Sequence, residues 1–326
     1  MPKPREQQIS LSDTPYYHIC SRVVRQAYLC GVDVQSGKNY EHRREWVERR
    51  IHQLAQVFAI SICAYAVMHN HIHLVVCVDA VQASCWSDME VVNRWQKLFK
   101  GTILTQRFSK QDRLTSCELH TVKHCVEVYR KRLMDISWFM RSLNEYIARK
   151  ANAEDNCTGR FWEGRFKSQA LLDNAALLTC MAYVDLNPVR AKVASTPERS
   201  EHTSVQLRIR AARSGQQPKS LAKFVGADQG NKAAGLNFSF TDYHTLIDHT
   251  GRSIREDKRG LIEENALPIL KRLYVSPVNW LKIATEFERV FTCAVGAPDK
   301  LTTYYKRIGL SRRHGIANAQ QWLSSG

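Results

Sequence analysis

The chain has 326 residues, 44% of them apolar, and carries 47 Lys and Arg against 31 Asp and Glu, a formal net charge of +16. That length suits one large domain or two with a real core, and no apolar run is long enough to span a bilayer. The surplus of positive charge points to a polyanionic partner, nucleic acid rather than membrane.

Residues 1–14 are polar and read as a loose N-terminal tail, with no apolar signal segment in Met1 to Glu6. The ten cysteines are scattered, without a C-x-x-C pair or zinc-finger spacing. Cys63, Cys77 and Cys180 sit in apolar segments as small core residues. These features predict a reducing, cytoplasmic protein without disulfides.

Residues 15–24 are rich in β formers and predict a first strand. A glycine-containing loop, 31–37, leads to an amphipathic helix over 41–58, with Trp46, Ile51, Leu54 and Val57 set between Arg43, Arg44, Arg49 and Arg50. Two apolar strands follow, 59–68 and 71–79, joined by the turn Met68-His69-Asn70. A helix over 87–99 is capped at Ser87-Asp88, with Val91, Trp95 and Leu98 on one face. Residues 101–124 are polar and irregular at first, and read as an insertion. One long helix is predicted over 125–151, then a polar turn and a strand over 160–172. Asp173 caps a helix that Pro188 stops.

The order β-α-β-β-α-β predicts an α+β chain with a ferredoxin-like antiparallel sheet and helices on one face, over residues 15–192. Residues 193–236, rich in Ser, Gln, Gly and Lys, read as a connector with some helix at 204–213. Residues 237–326 read as a mostly helical extension, including 267–273 and 279–290.

Two pairs of residues carry chemistry. His71 and His73 lie two apart on a strand and so share a face, while Ile72, Leu74 and Val76 point into a core. Two converging neutral imidazoles make half of a divalent-metal site; two partly exposed histidines at a strand end are the plain alternative. Tyr183 and Asn187, four apart on a helix, share a flank beside the stripe Leu177, Met181 and Val184. Tyr183 offers a phenol nucleophile and Asn187 a ligating carbonyl. The alternatives are a core-edge aromatic and a pre-proline helix terminator.

His71-Ile72-His73, followed far downstream by Tyr183-Val-Asp-Leu-Asn187-Pro188-Val-Arg190-Ala191, resembles the small single-tyrosine insertion-sequence transposases with a histidine–hydrophobic–histidine motif. The similarity is greatest to the branch called REP-associated tyrosine transposases, and includes the segment from Gly159 to Ser168. It covers roughly residues 14–192. One departure is Met68-His69-Asn70, where the family has Met-Pro-Asn or similar. His69 thus forms a second candidate pair with His71, but the apolar middle residue favours His71 and His73. His69 is then a turn residue or a phosphate contact.

The resemblance implies cleavage and rejoining of single-stranded or hairpin DNA by transesterification, in a monomer or homodimer. Tyr183 is the implied nucleophile, giving a 5′-phosphotyrosine and a free 3′-OH. His71, His73 and Asn187 are the implied ligands of Mg²⁺ or Mn²⁺, Mn²⁺ accepting imidazole more readily. For DNA contact the sequence offers Arg165, Lys167 and Gln169 with Glu163 on one strand face, Arg22 and Arg25 after the first strand, and Lys306, Arg307, Arg312 and Arg313 near Tyr304 and Tyr305. Each group also reads as a solvated surface. A non-catalytic DNA-binding protein of the same fold accounts equally for the charge, and a metal phosphodiesterase using water would make Tyr183 dispensable.

Overall fold

The computed structural model describes residues 8–24, 28–34, 36–226, 235–254, 267–309 and 314–323; Arg25, Arg312 and Arg313 lie outside them. The described strands are β1 (Tyr16–Arg22), β2 (Ile60–Val67), β3 (His71–Val78), β4 (Lys167–Leu171) and β5 (Ala294–Val295), forming one sheet in the order β2-β3-β1-β4-β5. β1 is antiparallel to β3 and β4, and β5 runs parallel to β4. The first four strands have the ferredoxin-like order, so the chain is α+β as the pattern predicted. β5, two residues long, extends the sheet from the C-terminal part of the chain.

The helices are α1 (Arg43–Val57), α2 (Ala80–Cys85), α3 (Asp88–Gln96), α4 (Ile103–Ser109), α5 (Ser116–Leu133), α6 (Ile136–Glu154), α7 (Asn174–Asp185) and α8 (Asn187–Arg190). After them come α9 (Ser204–Ala212), α10 (Phe240–Ile254), α11 (Leu267–Arg272), α12 (Pro277–Val290), α13 (Pro298–Arg307) and α14 (Ile316–Trp322). The chain divides into two compact units: residues 1–45, 62–77 and 160–326 form one, and residues 46–61 and 78–159 the other. The described residues of the segment 237–326, which the sequence suggested as an extension, thus share a unit with most of the central sheet.

Three stretches differ from expectation. Residues 101–124 are not irregular: Thr102 caps α4 and Thr115 caps α5, each closing a capping box with the residue three further on. The expected long helix is two, because Asp135 accepts from the backbone N–H groups of Ser137 and Trp138 and starts α6 afresh. The strand expected over 160–172 is short. Upstream of Lys167 there is only an isolated bridge between Val23 and Trp162, and Arg160 Nε closes locally onto the Trp162 carbonyl at 2.9 Å. The described part of the tail is anchored: Thr14 donates to the Leu171 carbonyl at 2.6 Å, and Asp13 pairs with Arg307 at 2.8 Å.

In the sheet unit, α7 is buried from Ala176 to Asp185, as its uniformly apolar sequence requires. Trp280, Ile283, Ala284 and Phe287 of α12 are likewise fully buried, and α12 packs along α7. The one charge inside α7, Asp185, accepts from Ser204 Oγ, from Val205 N at 3.0 Å and from Tyr243 Oη at 2.6 Å, tying α7 to α9 and α10. Burial pushes its carboxyl up to about 6, against the pull of these donors and of Arg208. None of the ten cysteines forms a disulfide. Among the described residues no helix is long and apolar enough to cross a membrane.

Candidate metal and nucleophile site

Strand register assembles the site. His73 lies opposite Cys20 and His71 opposite Arg22 across the β1–β3 ladder, while His18 lies opposite Gln169 and Cys20 opposite Lys167 across β1–β4. Directly opposed residues share a sheet face, and so do residues two apart along a strand. One face therefore carries His18, Cys20 and Arg22, His71 and His73, and Lys167 and Gln169. The shared face expected for His71 and His73 is observed, with ring centroids 4.7 Å apart.

His73 does not meet solvent. It is 2% exposed, as is His18, and the two rings stack at 5.2 Å with His18 Nε2 3.0 Å from His73 Nδ1. On the far side, His18 Nδ1 lies 2.9 Å from Gln169 Oε1, and Gln169 Nε2 donates to the Phe291 carbonyl at 2.6 Å. That donation fixes the amide orientation and places a hydrogen on His18 Nδ1, leaving Nε2 with a lone pair. Glu288, from α12, brings a carboxylate oxygen to 3.7 Å from His73 Nδ1 and is 40% exposed. The ligand atoms of His18, His73 and Glu288 all lie within 4.8 Å of one another. Among the described residues this is the group of His, Cys, Asp and Glu side chains able to hold a metal ion.

Burial holds these imidazoles neutral, as metal ligation requires. His73 is pushed well below the usual histidine range, first by burial and then by His18, His71 and Arg190. His18 is lowered by burial, against its bond to Gln169 and the Glu288 charge. His71 is driven down to about 3 by burial, with Arg22 and His69 adding to the effect. Its Nδ1 is engaged by Asn70 Oδ1 at 2.6 Å. His69 sits exposed on the turn, and its carbonyl accepts from Leu29 and Cys30 at 3.1 Å each.

Tyr183 reaches the same face from α7. Its ring stands edge-on to His73 at 5.7 Å and to His18 at 6.2 Å. The Arg190 guanidinium lies 4.0 Å over it, and Phe287 packs against it at 5.5 Å. Tyr183 is 8% exposed. Burial raises its phenol, and Arg190 pulls in the opposite direction. Arg190 is held in place by the Tyr183 and Ala284 carbonyls, at 3.2 and 3.4 Å. Asn187 is buried at the start of α8.

The expected DNA contacts divide. Arg22, Arg165, Lys167, Lys306 and Arg307 are exposed, although Arg307 is engaged with Asp13 and with Ser12 Oγ at 3.0 Å. Gln169 requires correction. It is 6% exposed with its amide spent on His18 and Phe291, because β4 turns alternate residues toward α12. Lys167, exposed two residues earlier, lines with Ser168, Cys20, His18, Gln169 and Glu288 a cavity of about 290 Å³. The sequence missed His18 and Glu288. Alternation along β1 marks His18 as a face partner of Cys20 and Arg22, but only register brings it to His73. Nothing near Glu288 in the sequence signals a ligand.

No family model matches the chain, and no curated protein matches it. A solved structure of a REP-associated tyrosine transposase bound to a REP hairpin superposes on it with a TM-score of 0.39 at 12% identity, covering 72% of this chain and 97% of that one.

Proposed function

We propose that this chain is a metal-assisted tyrosine DNA strand transferase of the transposase type, acting on single-stranded or hairpin DNA as a cytoplasmic monomer or homodimer. The observation that carries the reading is the juxtaposition of the Tyr183 ring, edge-on at 5.7 Å, with a histidine that belongs to a converging His-His-Glu group. The resemblance of His71-Ile72-His73 and of the Tyr183–Ala191 segment to the single-tyrosine transposases supports it.

The residues present fit a divalent ion. Two imidazole nitrogens and one carboxylate suit Mn²⁺ better than Mg²⁺, which prefers an all-oxygen shell. His18, with its orientation set by Gln169, His73 and Glu288 would hold the ion. The set His71, His73 and Asn187 is the alternative, and His73 belongs to both. An ion bound there supplies charge neutralisation and orientation for a phosphate. Tyr183 Oη is the nucleophile toward phosphorus: the Tyr–O–P bond forms and the P–O3′ bond breaks, and the proton that the phenol gives up is balanced by the one the departing O3′ takes up, leaving a free 3′-OH. Reversal by a 3′-OH restores the phosphodiester without ATP, because the phosphotyrosine link retains the bond energy. Arg190 favours the phenolate, and exposed Arg22 and Lys167 on the same sheet face offer charge to the DNA backbone.

The test is incubation with labelled hairpin single strands and Mn²⁺, followed by denaturing electrophoresis. A covalent adduct that maps to the Tyr183 peptide is expected. The burial of Tyr183 beneath Phe287 favours a second reading, a non-catalytic DNA-binding protein of the same fold. That reading predicts hairpin binding without any adduct.

A further inference from the structure

The unit formed by residues 46–61 and 78–159 takes no part in the site above, yet it carries a cleft of its own. Within it, Trp95 stacks on Tyr129 at 4.4 Å and 5°, and packs tilted by 31° against Phe99 at 4.3 Å. Trp138 meets Trp95 at 5.6 Å and stands edge-on to Phe99 at 5.9 Å. Trp95 is 4% exposed, so this aromatic floor is locked by packing. Above it opens a cavity of about 680 Å³ whose rim carries Arg50, Arg141, Arg149 and Lys150 against a single carboxylate, Glu145. Guanidinium groups already lie on the rings: Arg132 and Arg141 are 4.4 and 5.2 Å from Trp138, and Arg50 is 4.7 Å from Tyr146.

A cleft with an aromatic floor and a cationic rim matches an occupant that is planar, aromatic and anionic at once. A nucleic acid strand with unstacked bases has all three properties, whereas a duplex hides its base faces. We propose that this cleft is a binding site for unpaired nucleobases of single-stranded DNA, separate from the Tyr183 site. The inference rests on the proposed DNA reading for the identity of the polyanion. Arg141 is the movable element, because its side chain is 64% exposed and pairs with Glu145 at 3.5 Å. A base takes its place against Trp138, and the displaced guanidinium turns to the flanking phosphate, exchanging one cation–π contact for stacking and a charge-assisted bond. Tyr146, 39% exposed on the same helix, provides a second stacking surface.

The test uses the full chain with fluorescein-labelled oligo-dT of about 20 nucleotides and, separately, a duplex of equal length, read by anisotropy. The parent is expected to prefer the single strand. Trp138→Ala, and the surface changes Tyr146→Ala and Arg141→Glu, should each weaken oligo-dT binding about tenfold, the scale of losing one stacked base or its adjoining cation. Trp138→Phe should retain most affinity, and thermal midpoints identify any variant that fails to fold. Photocrosslinking with iododeoxyuridine should label the peptide holding Trp138 and Tyr146. Unchanged affinity in the two surface variants overturns the proposal, as does the absence of any crosslink on that peptide. The Tyr183 adduct is read in parallel. An adduct with unaffected oligo-dT binding removes this cleft alone, and cleft-dependent binding without an adduct removes the transferase reading alone.

Discussion

The sharpest division between the two ligand sets is at Glu288. Glu288→Gln keeps the side-chain length and its foothold on α12 but removes the one negative charge from the group His18, His73 and Glu288. Removing even an outer-shell partner of a metal ligand costs roughly 10–100-fold in affinity. A direct anionic ligand with two neutral imidazoles stands at or beyond the upper end, so Mn²⁺ affinity should fall by about 100-fold, or about 3 kcal/mol at 1.4 kcal/mol per decade. The fold should persist, because Glu288 is 40% exposed and its carboxylate lies 3.7 Å from His73, beyond hydrogen-bonding distance. The assay is calorimetric titration of Mn²⁺ into the metal-free full chain, with electron paramagnetic resonance of free Mn²⁺ as a second reading. His18→Ala should match the loss, and His73→Ala should abolish binding under either ligand set. If Glu288→Gln binds Mn²⁺ like the parent while Asn187→Ala or His71→Ala fails, the ion belongs to the other set and α12 supplies no ligand.

Tyr183→Phe should eliminate both cleavage and adduct on hairpin strands while keeping hairpin affinity; persistent cleavage would mean a water nucleophile. Ending the chain after Ile254 removes Trp280, Phe287 and Phe291, each fully buried in the sheet unit. Losses of about 3–5 kcal/mol for each such aromatic add up to about the whole stability of an ordinary domain, so the truncated chain should lack a cooperative unfolding transition, and a near-parent midpoint in calorimetry would refute this. Asp185 gives a pH dependence. Its carboxyl rises from 3.8 to about 6 on folding, so the folded state binds the proton more tightly and this group's contribution falls as pH rises through that window. The stability of the parent relative to Asp185→Asn should drop by about 2–3 kcal/mol between about pH 4 and about pH 7 in urea titrations, at 1.36 kcal/mol per unit; a constant difference would show that Asp185 does not titrate.

Local periodicity was enough to fix several parts of this protein. The two apolar strands around Met68-His69-Asn70 appear as β2 and β3, and period-two alternation alone put His71 and His73 on one face. Asp173 caps α7 as expected, since a cap acts within one helical turn, whereas Pro188 does not end the helical run but sits in the first turn of α8, where its missing N–H is no loss. The capping boxes at Thr102 and Thr115 were equally local, but a polar composition masked them. What no local rule reaches is the identity of the residues around His73. His18 arrives there through the β1–β3 register, Gln169 through β1–β4, and Glu288 through the packing of α12 on α7. The sequence pattern specifies which way each side chain points from its own strand or helix. Which distant side chains it then meets depends on strand order and helix packing, set by burying apolar faces across the whole unit rather than by the residues nearby in the chain.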